Sequence, residues 1–119
     1  MAKVLVIDDL NCIEELQNCI SSHEFLFAPN GKEGLDLLLK NRDTEVICLD
    51  CNMPIMDGYQ FLEEIERNKD YDFCRNIKKI SIGDFRLFDI TLIKEIFDAV
   101  YEKPLTSKLE FYINLVLSE

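Results

Sequence analysis

No apolar run in the chain approaches the length of a membrane span, and the start lacks the charged segment and apolar stretch of a secretory leader. The whole chain is therefore expected to be the mature protein, soluble and cytoplasmic, with no membrane partner. Basic residues are scarce: 13 Lys and Arg stand against 23 Asp and Glu, a net charge of −10. The longest basic cluster is Lys78-Lys79, which argues against nucleic-acid binding, because phosphates need clustered cations. Acidity of this kind mostly keeps a surface solvated. The single histidine, His23, lies in a polar turn and is expected to be solvated; with no second Cys pair beside it, a zinc site has no support. No repeat, linker or low-complexity segment interrupts the chain.

Five cysteines, Cys12, Cys19, Cys48, Cys51 and Cys74, make an odd count and read as reduced, small apolar residues. "CLDC" has C-x-x-C spacing but lies in an expected strand. Three extended residues span about 10 Å, beyond the reach of a disulfide.

What is present is an alternation. The chain has 119 residues, 48% of them apolar, enough for one domain over residues 1–119 with a packed core. "KVLVID" (Lys3–Asp8) is apolar on both faces, the mark of a covered parallel strand. "LNCIEELQNCISS" follows, with Ile13, Leu16 and Ile20 at helical spacing and Asn11 placed before Glu14 as in a capping box. "EFLF" is a second strand. "APNGKEGLDLLLK" turns at Asn30-Gly31 and carries Leu35, Leu38 and Leu39 on one helical face. "EVICLD" is a third strand ending at Asp50, and "YQFLEEIER" a helix facing inward through Phe61, Leu62 and Ile65. "IKKISI", a helix at "LFDITLIKEIF" with Ile90, Ile93 and Phe97, "AVYE", and a last helix capped by Thr106 or Ser107 complete the series. Strand-then-helix repetition predicts an α/β, doubly wound, five-stranded parallel sheet with right-handed crossovers.

In such sheets the functional crevice lies beyond the carboxyl ends of the strands. Strand one ends at Asp8 and Asp9, strand three at Asp50 and strand five at Lys103, before Pro104. In the strand order 2-1-3-4-5 the three carboxylates converge. Like charges share a site only when a cation neutralises them, and an all-oxygen donor set with room for water suits Mg²⁺. Taken singly, an Asp pair before a helix is often a cap and a Lys-Pro an exposed turn; together, at matched strand ends, they indicate a site.

The pieces "VLVIDD", "APNGKEGL", "LDCNMPIMDG" and "YEKP" resemble the response-regulator receiver domain of two-component signalling, over nearly the whole chain. The third piece, close to D-x-x-M-P-x-M-D-G, is the most specific. The resemblance implies a flavodoxin-like fold, Asp50 as phosphoacceptor, and Asp8 and Asp9 as Mg²⁺ ligands with Asp50 and the Asn52 backbone carbonyl. It implies that Lys103 contacts the phosphoryl group. The implied partners are a sensor histidine kinase or phosphotransfer protein upstream and a protein partner downstream, with no room for an output domain after Glu119.

Two departures stand out. The family carries Thr or Ser at the end of strand four. Counting back from Lys103 supports Ser81, whereas the pattern Ile80-x-Ile82 supports Gly83, which has no hydroxyl. The aromatic expected three residues before Lys103 is replaced by Val100, and Tyr101 is adjacent. The expected function is a non-enzymatic phosphoacceptor switch docking through the last β-α-β-α portion, where Phe85, Phe88 and Tyr101 lie. The alternative is an atypical receiver acting as a phosphorylation-independent interaction module. A small phosphohydrolase is disfavoured, because the residue two beyond the nucleophile is Asn52, a poor general acid. A flavodoxin-like nucleotide binder would need a Ser/Thr/Gly-rich loop after strand one, which is lacking.

Overall fold

The computed structural model of the protein describes residues 2–9, 13–14, 17, 23–50, 58–83, 97–102 and 109–118. Five strands, β1 (Lys3–Ile7), β2 (Glu24–Ala28), β3 (Val46–Asp50), β4 (Lys78–Gly83) and β5 (Ala99–Glu102), form one sheet in the order β2-β1-β3-β4-β5. Every pairing is parallel, as the alternating sequence pattern predicts. The described helices are α1 (Gly31–Lys40), α2 (Gly58–Arg67) and α3 (Leu109–Leu117), with a 3₁₀ helix, Lys69–Asn76, between α2 and β4. Ile13, Glu14 and Gln17 have helical backbone. Most of the expected helix at 87–97 lies outside the described residues, and so do the proposed caps Thr106 and Ser107.

The central strands β1 and β3 are almost wholly apolar and buried because both faces of the sheet are covered there. Leu5, Ile7, Ile47 and Leu49 pack on one side with Leu35, Leu38, Phe61 and Ile65 of α1 and α2. Val4, Val6, Val46, Cys48, Ile80 and Ile82 pack on the other with Ile113 and Val116 of α3. Phe97 is buried as expected, while Leu39 and Leu62 are only partly buried.

The Asn30-Gly31 turn is a helix start. Asn30 is the N-cap of α1, its Oδ1 accepting from the Glu33 N–H at 3.0 Å. Gly34, one turn on, is required by contact: a Cβ there would overlap the Ile7 side chain, so α1 lies directly on β1.

The 3₁₀ helix has no counterpart in the sequence reading. Its buried residues, Tyr71 and Cys74, are three apart, the period of a 3₁₀ helix. Asn68 caps it through the Asp70 N–H, and the Tyr71 hydroxyl donates to the Leu35 carbonyl. Burial pushes the Cys74 thiol up to about 11 and raises Tyr71 as well. Lys79 extends back from β4 to donate to the Cys74 and Ile77 carbonyls at 3.2 and 3.1 Å. Its burial lowers its pKa, opposed by Asp98.

His23 corrects the expectation of a solvated side chain. Its Nδ1 accepts the Ala2 N–H at 3.0 Å, and its Nε2 meets Asn114 Oδ1 at 2.7 Å. One acceptor and one donor nitrogen are the two faces of neutral imidazole. The ring thereby ties the start of β1 to α3.

Candidate functional site

The site begins with alternation along two neighbouring strands. β1 and β3 are in register with Val6 opposite Cys48. Side chains repeat every second residue on a face, so Asp8 and Asp50, each two residues beyond that pair, emerge on the same face at the same level. The ladder to β2 continues past Ile7, since the Asp8 N–H donates to the Ala28 carbonyl at 3.1 Å. Asp8 is thus fixed by backbone on its strand side. Its Oδ1 accepts the Asp9 N–H at 2.7 Å, and the Asp9 carbonyl accepts the Ile13 N–H at 3.1 Å, the first turn of a helical segment.

Asp8 is fully buried, Asp50 is 6% exposed and Asp9 is exposed. One carboxylate oxygen from each lies within 4.8 Å of the others. At such separations two like charges repel by on the order of 3–4 kcal/mol at an effective dielectric near 20. The three residues that the sequence singled out as convergent are therefore brought together, and their chemistry fits a hard divalent cation: three oxygens, two in the protein's interior and one facing water. Asn52, Lys103 and Pro104 lie outside the described residues, as do Phe85 and Phe88.

β4 is described through its end. Asp50 is in register with Ile82 and Leu49 with Ser81. Ser81 is fully buried and shares the face of Leu49, opposite to that of Asp50. Gly83 is the last residue of β4, one step beyond the Asp50 level and opposite Glu102 of β5. Val100 is opposite Ser81 and Tyr101 opposite Ile82. The positions that sequence reasoning did not single out, Gly34 and Ala28, set the site from behind: one seats α1 on Ile7, the other anchors Asp8. A glycine in mid-helix is the one signal in the sequence for the first; the second acts through backbone alone.

No described helix is long and apolar enough to cross a bilayer. Among the described residues, a groove of about 300 Å³ is lined by Leu62, Ile65, Glu66, Arg75 and Lys79, and another lies beside β2.

Comparison with known proteins agrees with this architecture. The response regulator receiver domain family matches residues 4–81. A chemotaxis protein CheY homolog of Campylobacter jejuni is 34% identical over 74 residues, which are 59% of this chain and 57% of that protein. Chemotaxis protein CheY4 of Vibrio cholerae superposes with a TM-score of 0.75 at 26% identity, covering 98% of both chains. The response regulator protein TrrA, solved in complex with the histidine kinase ThkA, superposes with a TM-score of 0.70 at 25% identity over 98% of this chain and 99% of that one. With its parallel sheet, its acidic strand ends and a family match across β1 to β4, the chain belongs to the response regulator receiver domains of two-component signalling.

Proposed function

We propose that the chain is a phosphoacceptor switch whose acceptor is Asp50, charged by a histidine kinase or phosphotransfer protein and read by a protein partner. The observation that carries this is the gathering of Asp8, Asp9 and Asp50 within 4.8 Å at adjacent strand ends. The kinase as donor is supported by TrrA, a relative of the same fold found in complex with one.

The chemistry asks little of the protein beyond position and charge. An Asp50 carboxylate oxygen attacks phosphorus, the bond from phosphorus to the donor's imidazole nitrogen breaks, and the imidazole leaves with the electron pair and takes a proton from water. The product is an acyl phosphate on Asp50. β3 presents Asp50 at its last residue, at the carboxyl edge of the sheet. Asp8 and Asp9, with the Asn52 carbonyl, would hold Mg²⁺. When bound, that ion supplies neutralisation of the carboxylates and of the phosphoryl oxygens. Lys103 is proposed as the second cation on the phosphoryl group.

For the strand-four position the register supports Gly83 over Ser81. Ser81 and Gly83 alternate onto the same face, opposite to that of Asp50; what separates them is level, since Ser81 lies buried one residue short of Asp50 and Gly83 ends the strand one residue beyond it. On this reading β4 brings backbone rather than a hydroxyl to the site. That same observation favours the second reading, an interaction module whose partner binding ignores phosphorylation.

Intact mass after incubation with Mg²⁺ and acetyl phosphate decides between them, with Asp50→Ala alongside. One phosphoryl adduct on the wild type and none on the variant is expected. An unmodified wild type in the presence of saturating Mg²⁺ would move the function to the interaction module.

A further inference from the structure

β2 is an edge strand: in the order β2-β1-β3-β4-β5 it pairs with β1 alone. The pairing decides which of its backbone groups are used. The Glu24 N–H donates to the Ala2 carbonyl and the Ala28 carbonyl accepts the Asp8 N–H. In a parallel ladder the bonding residues alternate, so Glu24, Leu26 and Ala28 face β1, and Phe25 and Phe27 direct N–H and C=O outward. No backbone partner for those outward groups is found among the described residues.

Such an edge is a template for another strand, and proteins usually blunt it with lysine, proline or a bulge. "EFLFA" has none of these devices. Phe25, Leu26 and Phe27 are each partly buried, and the two phenyl rings stack at 5.9 Å between centroids. Beside the strand a groove of about 330 Å³ is lined by Phe27, Glu33, Asp36, Leu37 and Lys40. Phe27 and Leu37 are its apolar liners, and its wall on α1 carries two exposed carboxylates, Glu33 and Asp36, one turn apart, with the exposed Lys40 one turn further on.

We propose that the β2 edge is a docking site for an extended, cationic segment of a partner protein, which adds a sixth strand beside β2. Main-chain bonds run to Phe25 and Phe27. Apolar side chains of the segment rest beside Phe25 and Phe27 on one face of the sheet, and its lysines or arginines meet Glu33 and Asp36 of α1 on the other. Alternate residues of a strand lie about 7 Å apart on one face, close enough to the rise of one helical turn, about 5.4 Å, for successive cations to address both acids. Charge selects this occupant over a second copy of the chain. Two copies edge to edge would bring together the acidic α1 walls, with Glu33 and Asp36, of two chains of net charge −10. The surface is separate from Asp50, so docking there does not require phosphorylation.

The test uses a blocked peptide of alternating lysine and valine, its glutamate–valine counterpart, and amide hydrogen exchange on the whole protein. The cationic peptide is expected to slow exchange at the Phe25 and Phe27 amides at least tenfold, with the acidic peptide inert. Glu33→Lys combined with Asp36→Lys should weaken binding at least tenfold. The milder pair Glu33→Gln and Asp36→Asn should weaken it less, with an unchanged circular dichroism spectrum in both cases. Equal binding of the two peptides, protection confined to other elements, or edge pairing seen as a concentration-dependent dimer without peptide would each overturn the proposal.

Discussion

The two ends of the sheet treat charge in opposite ways. At the amino ends of the strands, unlike groups are matched locally. Lys3 Nζ meets Asp43 at 3.0 Å and Asn41 at 3.3 Å, an arrangement that raises the lysine and lowers the carboxyl through their hydrogen bond. The Thr44 hydroxyl donates to the Asn41 carbonyl, Lys79 donates to the Cys74 and Ile77 carbonyls, and His23 joins Ala2 to Asn114. At the carboxyl ends, three like charges are gathered within 4.8 Å. Both ends rest on the same strands and the same two hydrophobic layers. The difference is that one end pairs unlike groups, while the other gathers like ones, the arrangement on which the proposed phosphoacceptor function rests.

The largest effect should come from the contact that serves both ends. Gly34→Val forces α1 away from Ile7 and is expected to destabilise the fold by about 1–3 kcal/mol, as overpacked cores do. Denaturant melts would show this, and phosphorylation should slow in parallel because Asp8 follows Ile7. His23→Ala removes two partly exposed hydrogen bonds and should cost about 1–2 kcal/mol. Acetyl-phosphate labelling of Asp50 should stay unchanged, and a loss of labelling would show that the two ends are coupled. The buried Cys74 thiol and Tyr71 phenol give a pH dependence. Their folded pKa values are raised, so the stability they contribute is whole below about pH 9 and declines as the pH rises towards 11. The urea midpoint should fall across that window, and Cys74→Ala should flatten its lower part. The smallest effect belongs to Asp43→Asn, whose exposed pair with Lys3 should leave the melting temperature unchanged within error.

Much of this was legible in the sequence, for a definable reason. Strands apolar on both faces, alternating with amphipathic stretches, restrict the chain to a parallel sheet, and the rule about carboxyl ends then selects Asp8, Asp9 and Asp50 without further information. What escaped reading is of another kind. The 3₁₀ helix buries Tyr71 and Cys74 at a spacing of three within a polar segment, too short a pattern to separate from a loop. His23 contacts Asn114 across 91 positions, and nothing local to "SSHEF" signals a partner so distant. The rivalry between Ser81 and Gly83 is a question of register by one or two residues, and register depends on pairing across strands, which a single strand's pattern leaves open.

On the proposed function, the carboxyl edge holds electrostatic tension that a divalent cation relieves. Thermal unfolding of wild type and Asp9→Asn, each with and without Mg²⁺, tests it most directly. Asp9 is the exposed member of the cluster, so its amide leaves the core untouched. Mg²⁺ is expected to raise the wild-type melting temperature, Asp9→Asn to melt higher than wild type without the ion, and the variant to lose most of its response to it. A wild type indifferent to Mg²⁺, or a variant that melts lower without the ion and still responds in full, would contradict this.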